Sequence, residues 1–255
     1  MNDFAKRLRI NGYAPNTITA YVATIRMFEQ AHAPTTATPE MAHAWIYAQP
    51  PASRRRHWAA LRAYYRKNQS NPVADIPIPP AVIPQIRVPT FGEAVAVIES
   101  TTDPRNRLIL ELLYGSGFRV GALLRIRISD IDFVNQWICL HDKGSREHIM
   151  PFGANSLKWL RIYLAGMRNA SGLLFPGLTA RSVRRIIANA CSKAGLPTIG
   201  PHSFRHAFAA HIRKNGADIV ELKNLMGHKR IESTERYLAI TPVTLTESRK
   251  RHPRK

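Results

Sequence analysis

Apolar residues recur at intervals of three and four along most of this chain, the spacing of helices with one buried face. After Pro15, the positions Ile18, Tyr21, Val22, Ile25 and Phe28 predict a first amphipathic helix. Thr38, standing before Pro39 and Glu40, opens a second in the way helices start, with a capping hydroxyl and then proline. Over residues 53–67, Trp58, Leu61 and Tyr65 share one face while Arg55, Arg62 and Arg66 share another. The first seventy residues therefore read as helices throughout.

The helical pattern breaks twice. Residues 72–89 hold six prolines, too many for a helix interior or a central strand, and predict an extended, semi-rigid linker. Helical spacing returns over 91–101 and over 104–117, the latter closing on glycines either side of Ser116, and again after Arg119. Between 128 and 152, β-rich runs alternate around two turns, at Asn135 and at Lys143-Gly144, which predicts a small three-stranded antiparallel sheet. Helices resume over 156–167 and 180–195. A further one runs from Pro201 to the stop at Gly216, with Phe204, Ala207, Phe208 and His211 as its buried stripe. Asp218 is placed to cap a short helix carrying Ile219, Leu222, Leu225 and Met226, and a last segment over 231–240 carries Tyr237. The fold class expected is mainly α with a small antiparallel β-sheet. Its divisions are a helical domain at 1–71, a linker at 72–89, an α+β domain at 90–240 and a basic tail at 241–255.

Charge narrows the function. Lys plus Arg number 37 against 17 Asp plus Glu, a formal net charge of +20 in 255 residues. With 45% hydrophobic residues the chain has ample material for a core, so disorder does not explain the charge. A folded protein this basic points to a polyanion, with nucleic acid ahead of a membrane surface, because no single segment joins a basic face to a broad apolar one. No apolar run reaches membrane-spanning length, and MNDFAKRLRI lacks the apolar core of a signal peptide, so a cytoplasmic location is expected. Cys139 and Cys191, in a predicted strand and a predicted helix, are expected to be free thiols. The run Arg54, Arg55, Arg62 and Arg66 has no acidic partner four residues away, which makes these residues candidate contacts to DNA phosphates.

The chemistry concentrates late. His202 and Arg205 fall in the first turn of their helix, on a face predicted to turn away from the apolar stripe, where free N–H groups and the positive end of the dipole suit a phosphate. His228 directly follows Gly227. A metal site built on His202 and His206, one turn apart, lacks the glutamate of the HExxH pattern and has the cationic Arg205 between its ligands. No metal and no cofactor are expected.

Taken together, LLYGSGFRVGALLRIRISDID, KGSREHIMPF, PHSFRHAFAAHIRKNGADIVELKNLMGH and STERY resemble, in order and spacing, the catalytic domain of the tyrosine recombinases, the family of phage integrases and Xer-type resolvases. The helices before the linker are similar, less specifically, to that family's core-binding domain. The resemblance implies a catalytic set of Arg119, Lys143, His202, Arg205, His228 and Tyr237, with Tyr237 the nucleophile and Lys143 at a hairpin tip. It also implies strand cleavage and rejoining through a 3′-phosphotyrosyl intermediate. The implied partners are double-stranded DNA with inverted-repeat half-sites and further copies of the chain, a dimer per site and a tetramer on paired sites. One position departs from the pattern. The family has an acidic residue three places after its first arginine, where this chain has Ala122. Two other readings remain at this point: a type IB topoisomerase using the same chemistry, and a catalytically impaired DNA-binding protein of the same fold, for which Ala122 alone speaks.

Overall fold

A computed structural model of the chain describes residues 2–33, 36–66, 71–82, 87–142, 146–167 and 172–218, with 220, 222 and 226 beyond. The chain divides into two compact units, Met1–Gln85 and Ile86–Lys255.

The first unit holds α1 (Asn2–Ile10), α2 (Pro15–Ala31), α3 (Pro39–Ala48) and α4 (Pro51–Tyr65). Three of these helices begin on proline, whose missing N–H is no loss at a helix start and whose φ is already helical. Thr38 caps α3 by accepting from the Met41 N–H at 3.3 Å. The core gathers Phe4, Leu8, Ile25, Phe28, Ile46, Leu61 and Tyr65, and Trp45 stands edge-on to both Phe28 and His57. The His57 ring is buried with its Nδ1 at 3.0 Å from the Thr24 hydroxyl. The proline-rich stretch is tied down at its beginning. Val73 and Ile76 lie in this same core, and Trp58 Nε1 donates to the Ile76 carbonyl at 2.9 Å. Proline restricts φ without hindering burial of the apolar residues between prolines, so its density says little about where packing ends.

In the second unit α5 (Phe91–Glu99), α6 (Pro104–Gly115) and α7 (Val120–Leu123) lead through a 3-10 turn at Ile128–Asp130 into the sheet. Thr90 and Glu93 close a reciprocal capping box on α5, and Asp103 caps α6 from the Asn106 N–H at 2.8 Å. Strands β1 (Ile131–Asp132), β2 (Trp137–Asp142) and β3 (Arg146–Pro151) form an antiparallel sheet in sequence order, with Ile138 opposite both Ile131 and Met150. The first turn falls at Asn135, as the pattern predicts. Asp132 holds it by accepting from the backbone N–H groups of Val134 and Asn135 at 2.9 and 2.8 Å.

Helices α8 (Ala154–Ala165), α9 (Ala180–Lys193) and α10 (Pro201–Lys214) complete the unit. α6 is its axis: every residue from Arg107 to Gly115 is buried. Two of those residues carry opposite charge, and Arg107 Nε lies 3.2 Å from the Glu111 carboxylate with its guanidinium over the Trp159 ring. Cys139 in β2 and Cys191 in α9 are thiols not joined in a disulfide. Among the described residues no helix is long and apolar enough to cross a membrane.

Candidate active site

The site begins where α6 stops. Ser116 caps the helix, and Gly117 turns the chain at φ 63°, a left-handed conformation that a side chain resists. A Cβ at Gly117 would also lie 2.9 Å from Phe208 Cε1, so glycine is required for space as well as for torsion. The turn delivers Arg119 to the N-cap of α7, where its carbonyl accepts from Ala122 and Leu123 and its side chain is exposed.

α10 meets this turn from the other side. Pro201 starts the helix on Gly200, which adds no side-chain cap. His202 is exposed on the first turn. Arg205, predicted to face outward with it, is instead buried, at 6% exposure. Its guanidinium donates one hydrogen bond to the Gly117 carbonyl and another to the Met226 carbonyl. Periodicity misplaces this residue because it treats any cation as outward-facing. Two backbone acceptors, from segments distant in sequence, satisfy the donors that burial would otherwise strand. Burial first, and the neighbouring Arg119 charge second, push Arg205 down to about 9, which still leaves it cationic at neutral pH. Two arginines this close attract an anion that can lie between them, and the planar fork of each matches a phosphate's oxygens.

Beyond α10, Asp218 accepts from the Val220 N–H at 3.3 Å, and the Leu222 N–H reaches the Asp218 carbonyl at 2.8 Å, as a helix start requires. Leu222 and Met226 pack with Phe208, Ala209, Ile212 and Ala217. Ile219 and Leu225 of the predicted core stripe lie outside the described residues. So do Lys143, His228 and Tyr237. Of the six expected catalytic residues the structure therefore describes three, and it brings Arg119 and Arg205 together beside the α10 start that carries His202. Ala122 is half-buried in α7, lining a recess with Arg125, Arg127 and Asp130.

The arginines expected at DNA are all on α4 or at its end. Arg55, Arg62 and Arg66 are exposed, and Arg62 stacks over the Trp58 ring at 4.9 Å. Arg54 is half-buried: its Nε donates to the Gln49 carbonyl at 2.9 Å and its guanidinium covers Tyr47. Sequence reasoning passed over the Gly117 and Met226 carbonyls that hold Arg205. A glycine closing a helix just before a candidate arginine was the available signal for the first. Nothing in the sequence marks the second.

The structure can be set beside known proteins. Residues 89–242 match the phage integrase family model. The tyrosine recombinase XerC of Pelotomaculum thermopropionicum is 33% identical over 80% of this chain and 76% of its own length. The XerC of Corynebacterium glutamicum is 34% identical over 69% of this chain. The chain spans 60% of that relative's length and 44% of the length of the XerC of Bifidobacterium longum subsp. infantis. Among solved structures, a lambda integrase dimer bound to a COC′ core site superposes with a TM-score of 0.75 at 18% identity, covering 96% of this chain and 97% of that one. The Tn1549 transposon integrase in complex with transposon right end DNA gives 0.72 at 18% identity, covering 97% and 96%. With the family model spanning well over half of its residues, and the four motifs falling inside that span, the chain belongs to the phage integrase family.

Proposed function

We propose that this protein is a site-specific DNA recombinase that cuts and rejoins strands through a covalent 3′-phosphotyrosyl intermediate. The observation that carries the reading is Arg205, buried and pinned between the Gly117 and Met226 carbonyls with Arg119 beside it. A buried guanidinium held by neutral acceptors keeps its charge available to an incoming anion. Arg205 together with the exposed Arg119 on one scissile phosphate stabilises the negative charge that builds on its non-bridging oxygens as the nucleophile arrives.

The remaining steps follow from residue chemistry. The Tyr237 hydroxyl attacks phosphorus. Its reference pKa of about 10 makes prior ionisation at neutral pH cost about 4 kcal/mol, so a base must take the proton as the bond forms. His202, exposed on the first turn of α10, is that base. The P–O5′ bond breaks, its electron pair leaves on the 5′ oxygen, and Lys143 supplies the proton that oxygen needs. His228 adds a hydrogen bond to the phosphoryl oxygens. The phosphotyrosyl ester stores the energy of the broken phosphodiester, so resealing by a 5′ hydroxyl requires no ATP and no cofactor. Duplex DNA carrying inverted-repeat half-sites is the substrate, met in the cytoplasm. Exchange between two duplexes takes four cuts, one per protomer, so a dimer occupies each site and a tetramer the paired sites. The XerC relatives, at 33% and 34% identity, support this reading.

Tyr237→Phe tests it directly, since only a hydroxyl is lost. Wild type incubated with site DNA is expected to give a denaturant-resistant protein–DNA adduct, and the Phe variant to bind the duplex while giving none. An adduct from the Phe variant would remove Tyr237 from its role.

A further inference from the structure

A cleft of about 310 Å³ opens between α9 and the corner that joins α5 to α6. Its walls carry Arg105, Arg185 and Lys193 and no carboxylate. The volume is that of a small ligand pocket. The cleft lies at the start of α6, whereas Arg119 follows the end of that helix, so about 15 Å of helix separates it from the candidate active site. Its walls are fixed. Ser100 Oγ, at the corner, donates to the Ala190 carbonyl of α9 at 2.9 Å. Arg105 donates to the Pro176 carbonyl at 3.4 Å and hydrogen-bonds the Tyr163 hydroxyl. Arg185 and Lys193 project exposed from one face of α9, and among the described residues neither has a carboxylate at ion-pair distance.

We propose that this cleft docks an acidic segment of a partner protein. The cations select for negative charge, and the side chains between them select the kind of anion. Asn106 and Asn189 line the cleft, and each amide both donates and accepts. A bare phosphate oxygen only accepts, so it engages the amide N–H groups and leaves the two carbonyls to water. A peptide supplies carboxylates for the cations and backbone N–H groups for those carbonyls. The cleft thus gives an accessory protein a place to grip the second unit at a point remote from the candidate active site.

The test does not depend on strand cleavage, so its outcome is separable from the recombinase reading. Binding of a fluorescein-labelled oligoglutamate to the full chain is followed by anisotropy. Arg185→Glu with Lys193→Glu is expected to weaken it by about tenfold or more. The same charge change on α8, Lys158→Glu with Arg161→Glu, is expected to leave most of the affinity. Arg185→Gln with Lys193→Gln repeats the comparison with a milder change, and circular dichroism verifies that each variant is folded. Affinity for a short random duplex should be the same in the Gln variant as in wild type. Equal loss of peptide in the α8 and cleft variants would overturn the proposal in favour of diffuse charge. Loss of duplex affinity in the Gln variant, with a shallower salt dependence, would overturn it by making the cleft a DNA contact.

Discussion

At the scale of single residues the candidate active site depends on a glycine more than its chemistry suggests. Gly117 has no reactive group, yet its carbonyl holds the Arg205 guanidinium and its positive φ turns the chain toward Arg119. Gly117→Ala places a methyl group in a left-handed conformation and against the Phe208 ring. The torsional term is about 1 kcal/mol and overpacking adds about 1–3 kcal/mol. We expect a loss of about 2–4 kcal/mol in denaturant unfolding, with the proposed cleavage activity falling further than stability because the displaced turn moves the carbonyl that anchors Arg205. Unchanged stability and activity would mean that Phe208 moves aside freely and that Arg205 does not depend on this carbonyl. The glycine was legible as a helix stop. Its second duty was marked only by its place just before Arg119, because a hydrogen bond between residues 117 and 205 has no spacing that periodicity displays.

At the scale of elements, local signals were read well and long-range ones poorly. The starts of α2, α3, α6 and α10 carry proline or a capping side chain beside an apolar repeat, and the structure begins them at Pro15, Pro39, Pro104 and Pro201. The packing of Val73 and Ile76 under α4 and the ion pair inside α6 depend on tertiary neighbours, which periodicity does not encode. That pair has a testable asymmetry. Glu111→Ala leaves the buried Arg107 charge with only the more exposed Glu99 carboxylate, at 3.9 Å, and should cost about 3 kcal/mol, whereas replacing both Arg107 and Glu111 by Met and Leu should cost markedly less. A double variant less stable than Glu111→Ala would refute this. In α4, His57 gives the first unit a pH dependence. Burial, and then the adjacent Arg56 charge, lower its pKa in the folded chain, so the unfolded chain binds its proton more readily. Stability is full above the ordinary histidine value of about 6.5 and falls as pH drops from there toward the lowered folded value, then levels off. His57→Gln should flatten that part of the stability–pH curve. A variant that keeps the wild-type slope would assign the effect elsewhere, His211 being the other histidine among the described residues whose pKa burial lowers.

At the scale of the whole molecule the net charge of +20 has to be accounted for by something outside the chain, since so large an excess of one sign repels itself in the folded state. Exposed cations stand in both units: Arg55, Arg62 and Arg66 with α4, and Arg181 and Arg184 on α9 outside the cleft. If both sets of helices face a duplex, each phosphate they neutralise releases condensed counterions. The logarithm of affinity then falls with the logarithm of salt at about 0.9 per phosphate. Six or more contacts make that a loss of about a thousandfold or more between about 50 and 200 mM salt. The expected measurement is a straight log–log plot with a slope of about −5 or steeper for the full chain. Replacing Arg55, Arg62 and Arg66 by Gln should make that slope shallower by about 3 while leaving the unfolding transition in place, because these side chains are exposed. A slope that does not change would mean that the α4 arginines serve as a solvated face, and the phosphates would have to be sought along α9. A nearly salt-independent affinity would refute electrostatic binding altogether and return the charge to solubility alone.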